Sequence, residues 1–187
     1  GLTRSGARPG DDIWVSGCVG GAWAALMHRW GKLTLDARVF PAAALAMDRP
    51  NPRNALGTAL LSSATACADI SDGLAQDLGH ILERSGVDAD VLWDAVPKHP
   101  ALAALSQEQQ VEAAMSGGDD YELVFTAPAD KRGLIEQASI SALTPVTRIG
   151  RIVEKKPSGA PLAIRDASGR PLFLPVQGFD HFAQSAD

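Results

Sequence analysis

Cysteine is nearly absent: Cys18 and Cys67 are the only two in 187 residues, far apart and in no CxxC spacing. That pattern indicates neither a zinc site nor a disulfide framework, and it fits a reducing compartment, the cytoplasm. A surplus of basic residues is missing as well. Lys and Arg number 17 against 22 Asp and Glu, for a formal charge of −5 and a pI near 5.3. Nucleic acid and anionic membrane surfaces both require a basic face, so neither is expected as a partner. No apolar run reaches the roughly 18 residues needed to span a bilayer, and residues 1–15 lack the charged, apolar, small-residue succession of a signal peptide. The GxxxxGK[ST] loop is also lacking, which excludes a P-loop mechanism.

What is present is 45% hydrophobic and 21% charged residues, ordinary for a soluble globular protein with one sizeable core or two modest ones. An acidic protein that handles a phosphate usually does so through a metal. The opening "GLTRSGARPGDD" is glycine-rich and basic, has no initiator Met, and reads as the interior of a longer protein.

Strand and helix patterns alternate along the chain. Strands are predicted over Ile13–Val19, Thr65–Ile70, Val87–Trp93, Tyr121–Thr126, Val146–Val153, Leu162–Arg165 and Leu172–Val176, the last two joined by the turn signal "DASGR". Helices are predicted over Ala22–Arg29, within the Ala-rich 35–48 stretch broken by Pro41, from Pro52 onward, over Gln107–Met115 and over Ala129–Ala138. A further helix follows Ile70, since Leu74, Leu78, Ile81 and Leu82 recur at helical spacing. Such alternation with a terminal hairpin implies an α/β (α+β) layered domain with a mixed sheet flanked by helices.

Two acidic clusters stand at element junctions. In "ACADISDGLAQDLGHIL", residues 66–82, Asp69 closes a strand, and Ser71, Asp72 and Gly73 open a helix. Strand-to-helix junctions in α/β sheets bind phosphates where outward-pointing backbone N–H groups and a glycine allow close approach. Carboxylates there repel a bare phosphate and attract one bridged by Mg²⁺, which takes hard oxygen ligands. A plainer reading makes Asp72 a helix-start residue and Asp69 a turn residue. In "SGGDDYELVFT", residues 116–126, Gly117-Gly118 suits a tight turn with positive φ, from which Asp119 and Asp120 project; an ordinary turn uses the same residues. A superficial match to the Gly-Gly-Asp/Glu-Glu-Phe hairpin of cyclic-dinucleotide synthases fails at Tyr121. His80 reads as a capping or packing histidine, and Asp77, Asp88, Asp90 and Asp94 as solvated surface.

Taken with "LTRSGARPGDDIWVSG" at 2–17, "RPNPR" at 49–53, "IGRI" at 149–152 and "GFDHF" at 178–182, these clusters resemble the C-terminal half of the thiamine-monophosphate kinases. Those enzymes sit within the wider family of aminoimidazole ribonucleotide synthetase-like ATP enzymes. The resembling motifs span nearly the whole chain in family order. Two positions depart from the pattern: Gly21, where Asp is frequent, and Asp119, where Glu is common.

The resemblance implies ATP-dependent phosphorylation of thiamine monophosphate to thiamine diphosphate, with Mg²⁺ carrying the nucleotide phosphates. Carried over by position, Asp69 and Asp72 would be magnesium ligands, Ser71 an ATP contact and Arg4 a nucleotide-phosphate contact. Asp119 would contact the substrate, and Phe179 would neighbour the thiamine. Residues 1–187 would form one C-terminal ATP- and substrate-binding domain, with 1–12 a remnant of the connection to an N-terminal domain. That domain would supply further aspartates and most of a homodimer contact, so the chain alone is expected to be nearly inactive. Two alternatives stand beside this: a non-catalytic nucleotide- or metal-binding module of the same fold, and a sister ATP enzyme acting on a purine intermediate or selenide, against which "DDYEL" speaks.

Overall fold

The computed structural model describes residues 2–48 and 53–174. Seven strands form one mixed sheet: β1 (Asp12–Ser16), β2 (Ala66–Asp69), β3 (Val87–Leu92), β4 (Leu123–Ala127), β5 (Val146–Glu154), β6 (Leu162–Arg165) and β7 (Pro171–Leu172). Their order is β2-β4-β1-β5-β3-β6-β7. Every pairing is antiparallel except β3 with β6, which is parallel. The α-helices are α1 (Gly21–Arg29), α2 (Phe40–Asp48), α3 (Asn54–Ala59), α4 (Leu74–Ser85), α5 (Gln107–Val111) and α6 (Arg132–Ser141).

The sheet is covered on both sides, and the two-residue period of its central strands assigns side chains to two cores. Ile13, Val15 and Val124 face a large core that takes in α4 and the small residues of α1, while Trp14, Leu123 and Phe125 face a second core closed by α3 and α6. Leu74, Leu78, Ile81 and Leu82 of α4 are all buried in the first, as their spacing predicts, each side chain contributing about 1.5–3 kcal/mol. α4 stops at Gly86, which takes the left-handed conformation at φ 68° that glycine adopts without a Cβ penalty.

Several boundaries differ from expectation for local reasons. β1 ends at Ser16 because Gly17 turns the chain at φ 56°. β4 begins at Leu123 because Tyr121 lies in the left-handed region at φ 57°. The helix expected over 107–115 starts with a Ser106/Gln109 capping box and passes into a π-helical turn over Glu112–Ser116, the kind of irregularity that often borders functional loops. The last strand pairs over Pro171–Leu172; the rest of its predicted span from residue 175 lies outside the described residues. Two of the four aspartates expected at the surface are core residues instead. Asp77 is 1% and Asp88 3% exposed, the first held by the N–H groups of Ser71 and Asp72 and the second by the N–H of Lys156 and its ammonium, both at 2.9 Å. No described helix is long and apolar enough to cross a membrane.

Candidate active site

The junction between β2 and α4 is built around a buried carboxylate. Oδ2 of Asp77 accepts the backbone N–H groups of both Ser71 and Asp72, each at 2.9 Å, and the Asp77 N–H donates to the Gly73 carbonyl at 2.9 Å. Gly73, at φ 129°, is the N-cap of α4 and offers no side-chain cap; Asp77, one turn into the helix, accepts instead from the two loop amides ahead of that cap. The plain alternative for Asp72 therefore does not hold: it is exposed, two residues before α4 starts, and it caps nothing. The expected cradle of outward backbone amides is not what forms here either. The amides at 71 and 72 point inward, and the side chains of Asp69, Ser71 and Asp72 are left exposed.

The second acidic cluster interlocks with this junction. The Asp119 N–H donates to the Ser71 carbonyl at 3.0 Å, and the Ile70 N–H to the Glu122 carbonyl at 2.8 Å. Gly117 and Gly118 are required for closeness and not for handedness. A Cβ on Gly117 would overlap the Ala113 carbonyl oxygen, and one on Gly118 the Ser71 carbonyl oxygen. The positive φ values expected of these glycines fall instead on Asp119 (63°) and Tyr121 (57°), an uncommon conformation for residues that carry a Cβ.

The rest of the loop is anchored by its acids. Both oxygens of Asp120 accept the Gly20 N–H, at 3.1 and 3.2 Å, at the start of α1, where the helix dipole favours a carboxylate. Burial pushes the Asp120 carboxyl up to about 8, with Glu122 and Asp119 adding to the rise while the Gly20 and Ala22 amides oppose it. Glu122 is 5% exposed. It accepts from Arg53 Nε at 2.6 Å and Nη2 at 3.1 Å, and from Ser16 Oγ at 2.9 Å, and Ser16 Oγ in turn accepts the Leu123 N–H at 2.8 Å. Cys18 beside this group is pushed up to about 11 by burial and then by Glu122 and Asp120, so it is a thiol without nucleophilic character.

A cleft of about 630 Å³ opens at the end of β2, and Arg4, Arg53, Asn54, Thr58 and Asp69 line it. The Arg4 guanidinium and the Asp69 carboxylate, beside an Arg53 already paired with Glu122, suit a phosphate accompanied by a cation. A second cavity, of about 500 Å³, lies against α4 and is lined by Gln76, His80, Lys155 and Lys156; none of the sequence-predicted site residues borders it.

Of those predicted residues, Arg4 and Asp69 share the first cleft. Ser71 and Asp72 stand on the adjoining loop, and Asp119 is hydrogen-bonded to it. Phe179 lies outside the described residues. Among the described residues, the group of metal-capable side chains whose ligand atoms lie within 4.8 Å of one another is Asp72, Asp77 and His80, without Asp69. The exposed carboxylates of Asp69 and Asp72 are each hard oxygen donors of the kind Mg²⁺ takes, so their chemistry fits that ion. Sequence reasoning missed Arg53 and Glu122, took the buried Asp77 for solvated surface, and had Asp120 project from its turn where it is instead tied to the Gly20 N–H. Arg53 closes the quoted "RPNPR" motif and Asp77 sits inside "DISDGLAQDLGHIL", but nothing local marks a carboxylate as inward-facing.

The chain matches the model described as AIR synthase related protein, C-terminal domain, over residues 8–161. It is 40% identical to thiamine-monophosphate kinase of Salmonella typhimurium over 97% of this chain and 55% of that protein. Among solved structures, thiamine-monophosphate kinase from Stenotrophomonas maltophilia superposes with a TM-score of 0.79 at 41% identity, over 91% of this chain and 54% of that one. The structure of AaThiL complexed with AMPPCP and TMP superposes with a TM-score of 0.72 at 28% identity, over 91% of this chain and 52% of that one. The chain thus spans about half the length of the relatives it matches. A family model fitted across the central strands and both acidic loops, on a sheet that superposes on these structures, places this chain in the family of AIR synthase related protein C-terminal domains.

Proposed function

We propose that this chain is the C-terminal portion of a thiamine-monophosphate kinase, in which it helps transfer the γ-phosphoryl group of ATP to the phosphate of thiamine monophosphate. The observation that carries this is the Asp119 N–H to Ser71 carbonyl hydrogen bond at 3.0 Å, which joins the loop of exposed carboxylates to the glycine-rich acidic loop. Relatives at about 40% identity named for this activity, and a superposable structure complexed with AMPPCP and TMP, support the substrate pair. In this reading Arg4 holds a nucleotide phosphate, Ser71 contacts ATP, Asp119 contacts the acceptor substrate and Phe179 neighbours the thiamine. Asp69 and Asp72 hold Mg²⁺, which when bound neutralises polyphosphate charge. The acceptor phosphate already offers an ionised oxygen, so the protein has to position and screen more than to abstract a proton. No side chain is assigned as a general base. A cytoplasmic homodimer whose N-terminal domain supplies further aspartates completes the picture.

A non-catalytic binding module is the second reading, and Gly21 is the observation that favours it. A side chain there would bring its Cβ to 2.6 Å from the His99 ring, so the aspartate frequent in the family has no room. Full-length protein incubated with Mg·ATP and thiamine monophosphate decides between them. Formation of thiamine diphosphate is expected, and its absence with both ligands bound selects the module.

A further inference from the structure

Asp77 is a buried carboxylate that the proposed chemistry leaves unused. Resting on the kinase function above, we propose that Asp77 is a positioning residue that ties the metal-side loop to the acceptor-side loop through one peptide group, the one joining Ser71 to Asp72. The N–H of that group, on Asp72, donates to Asp77 Oδ2 at 2.9 Å. Its carbonyl, on Ser71, receives the Asp119 N–H at 3.0 Å. The same Oδ2 also holds the Ser71 N–H at 2.9 Å, so the peptide groups on both sides of Ser71 are oriented by one side-chain oxygen.

One side-chain oxygen that accepts two backbone N–H groups fixes both peptides, and a peptide group whose N–H is hydrogen-bonded becomes a better acceptor at its carbonyl. The second effect reaches Asp119. That residue sits in the left-handed region at φ 63°, and the backbone tether to Ser71 helps hold it there. On the other side, the Asp72 side chain is exposed, with its carboxylate within 4.8 Å of the Asp77 carboxylate and the His80 ring nitrogen. A helix cap alone would need none of this: the α4 cap position, Gly73, lies between the tethered loop and the helix. Asp77 thereby fixes the relative placement of Asp72 and Asp119 without touching substrate.

The test uses the full-length protein carrying Asp77→Ala or Asp77→Asn, with Asp88→Asn as a control, since Asp88 is comparably buried, lies on β3 and holds Lys156 instead of either loop. Amide exchange is measured at residues 71, 72 and 119. Asp77→Ala should speed exchange at all three positions, and Asp77→Asn, which keeps an acceptor oxygen, should recover part of the protection. Asp77→Ala should also raise the KM for thiamine monophosphate and the Mg²⁺ requirement by about 10-fold or more, as loss of an outer-shell partner does. The control should leave both unchanged at an equal loss of thermal stability. Faster exchange at 71 and 72 with none at 119 overturns the coupling, as do kinetic changes no larger than those of Asp88→Asn. If Asp77→Ala does not fold, the Asn variant is judged on the same measures. A wild-type protein with no kinase activity sinks the proposed function while the exchange pattern still decides the role of Asp77.

Discussion

Arg53 and Glu122 form a two-pronged ion pair, Nε to Oε1 at 2.6 Å and Nη2 to Oε2 at 3.1 Å, between the segment that leads into α3 and the acidic loop before β4. The glutamate is 7% and the arginine 20% exposed at the side chain, so removing Arg53 strands a charge away from water, whereas removing Glu122 leaves a guanidinium that still borders the cleft. Arg53→Ala should destabilise the fold by about 3–5 kcal/mol in urea titrations, and Glu122→Ala by less, because the remaining guanidinium can be hydrated from the cleft. Arg53→Lys should recover little, because an ammonium cannot reproduce the planar fork. A loss under about 1 kcal/mol would mean that the pair is as weak as an exposed one.

Asp120 gives the fold a pH dependence of defined sign. Its carboxyl titrates near 3.8 in the unfolded chain and at about 8 in the folded one. Between those values the folded state holds a proton that the unfolded state has released, so this group's contribution to stability is fully present below about pH 4. It declines as pH rises towards about 8 and then levels off. Asp120→Asn should lack that decline. Denaturation of both proteins at about pH 5 and pH 8 checks it: an unchanged gap between them at the two pH values would show that the carboxyl is not raised.

Gly118→Ala should cost stability and activity together. Its Cβ would overlap the Ser71 carbonyl oxygen, and the loops must separate to admit it, at an expected cost of about 1–3 kcal/mol. An alanine variant with wild-type turnover and melting temperature would show that the two loops need not touch.

Gly133→Ala should act in the opposite direction. The residue lies in α6 with nothing near an added Cβ, so the substitution removes helix-weakening backbone freedom and should stabilise by about 1 kcal/mol. Thermal melts read this directly, and a lower melting temperature would contradict it.

Asp69→Asn and Asp72→Asn should leave the fold intact, since both side chains are exposed and neither makes a hydrogen bond among the described residues. In the full-length protein each should lower turnover by about a hundredfold or more, with the Mg²⁺ dependence shifted upward. Normal turnover in either variant would reduce that aspartate to a loop residue.

The sequence by itself determined the elements and the places where chemistry could sit. Leu74, Leu78, Ile81 and Leu82 announce α4 through spacing alone, because a helix turns its face every 3.6 residues whatever lies against it. The apolar cores of β1 and β4 are legible for the same kind of reason, and the two acidic clusters are visible as runs of Asp and Gly at element ends. Tertiary structure decided what each polar group does, since direction and distance across the chain have no local signal. Asp72 and Asp77 are both aspartates of one motif, yet one is exposed and the other is 1% exposed beneath it. Gly117 and Gly118 suggest a left-handed turn, but what requires them is the approach of the Ala113 and Ser71 carbonyls, while Asp119 and Tyr121 carry the positive φ. Arg53 finds Glu122 69 positions away, a pairing that exists only once β4 lies between β2 and β1.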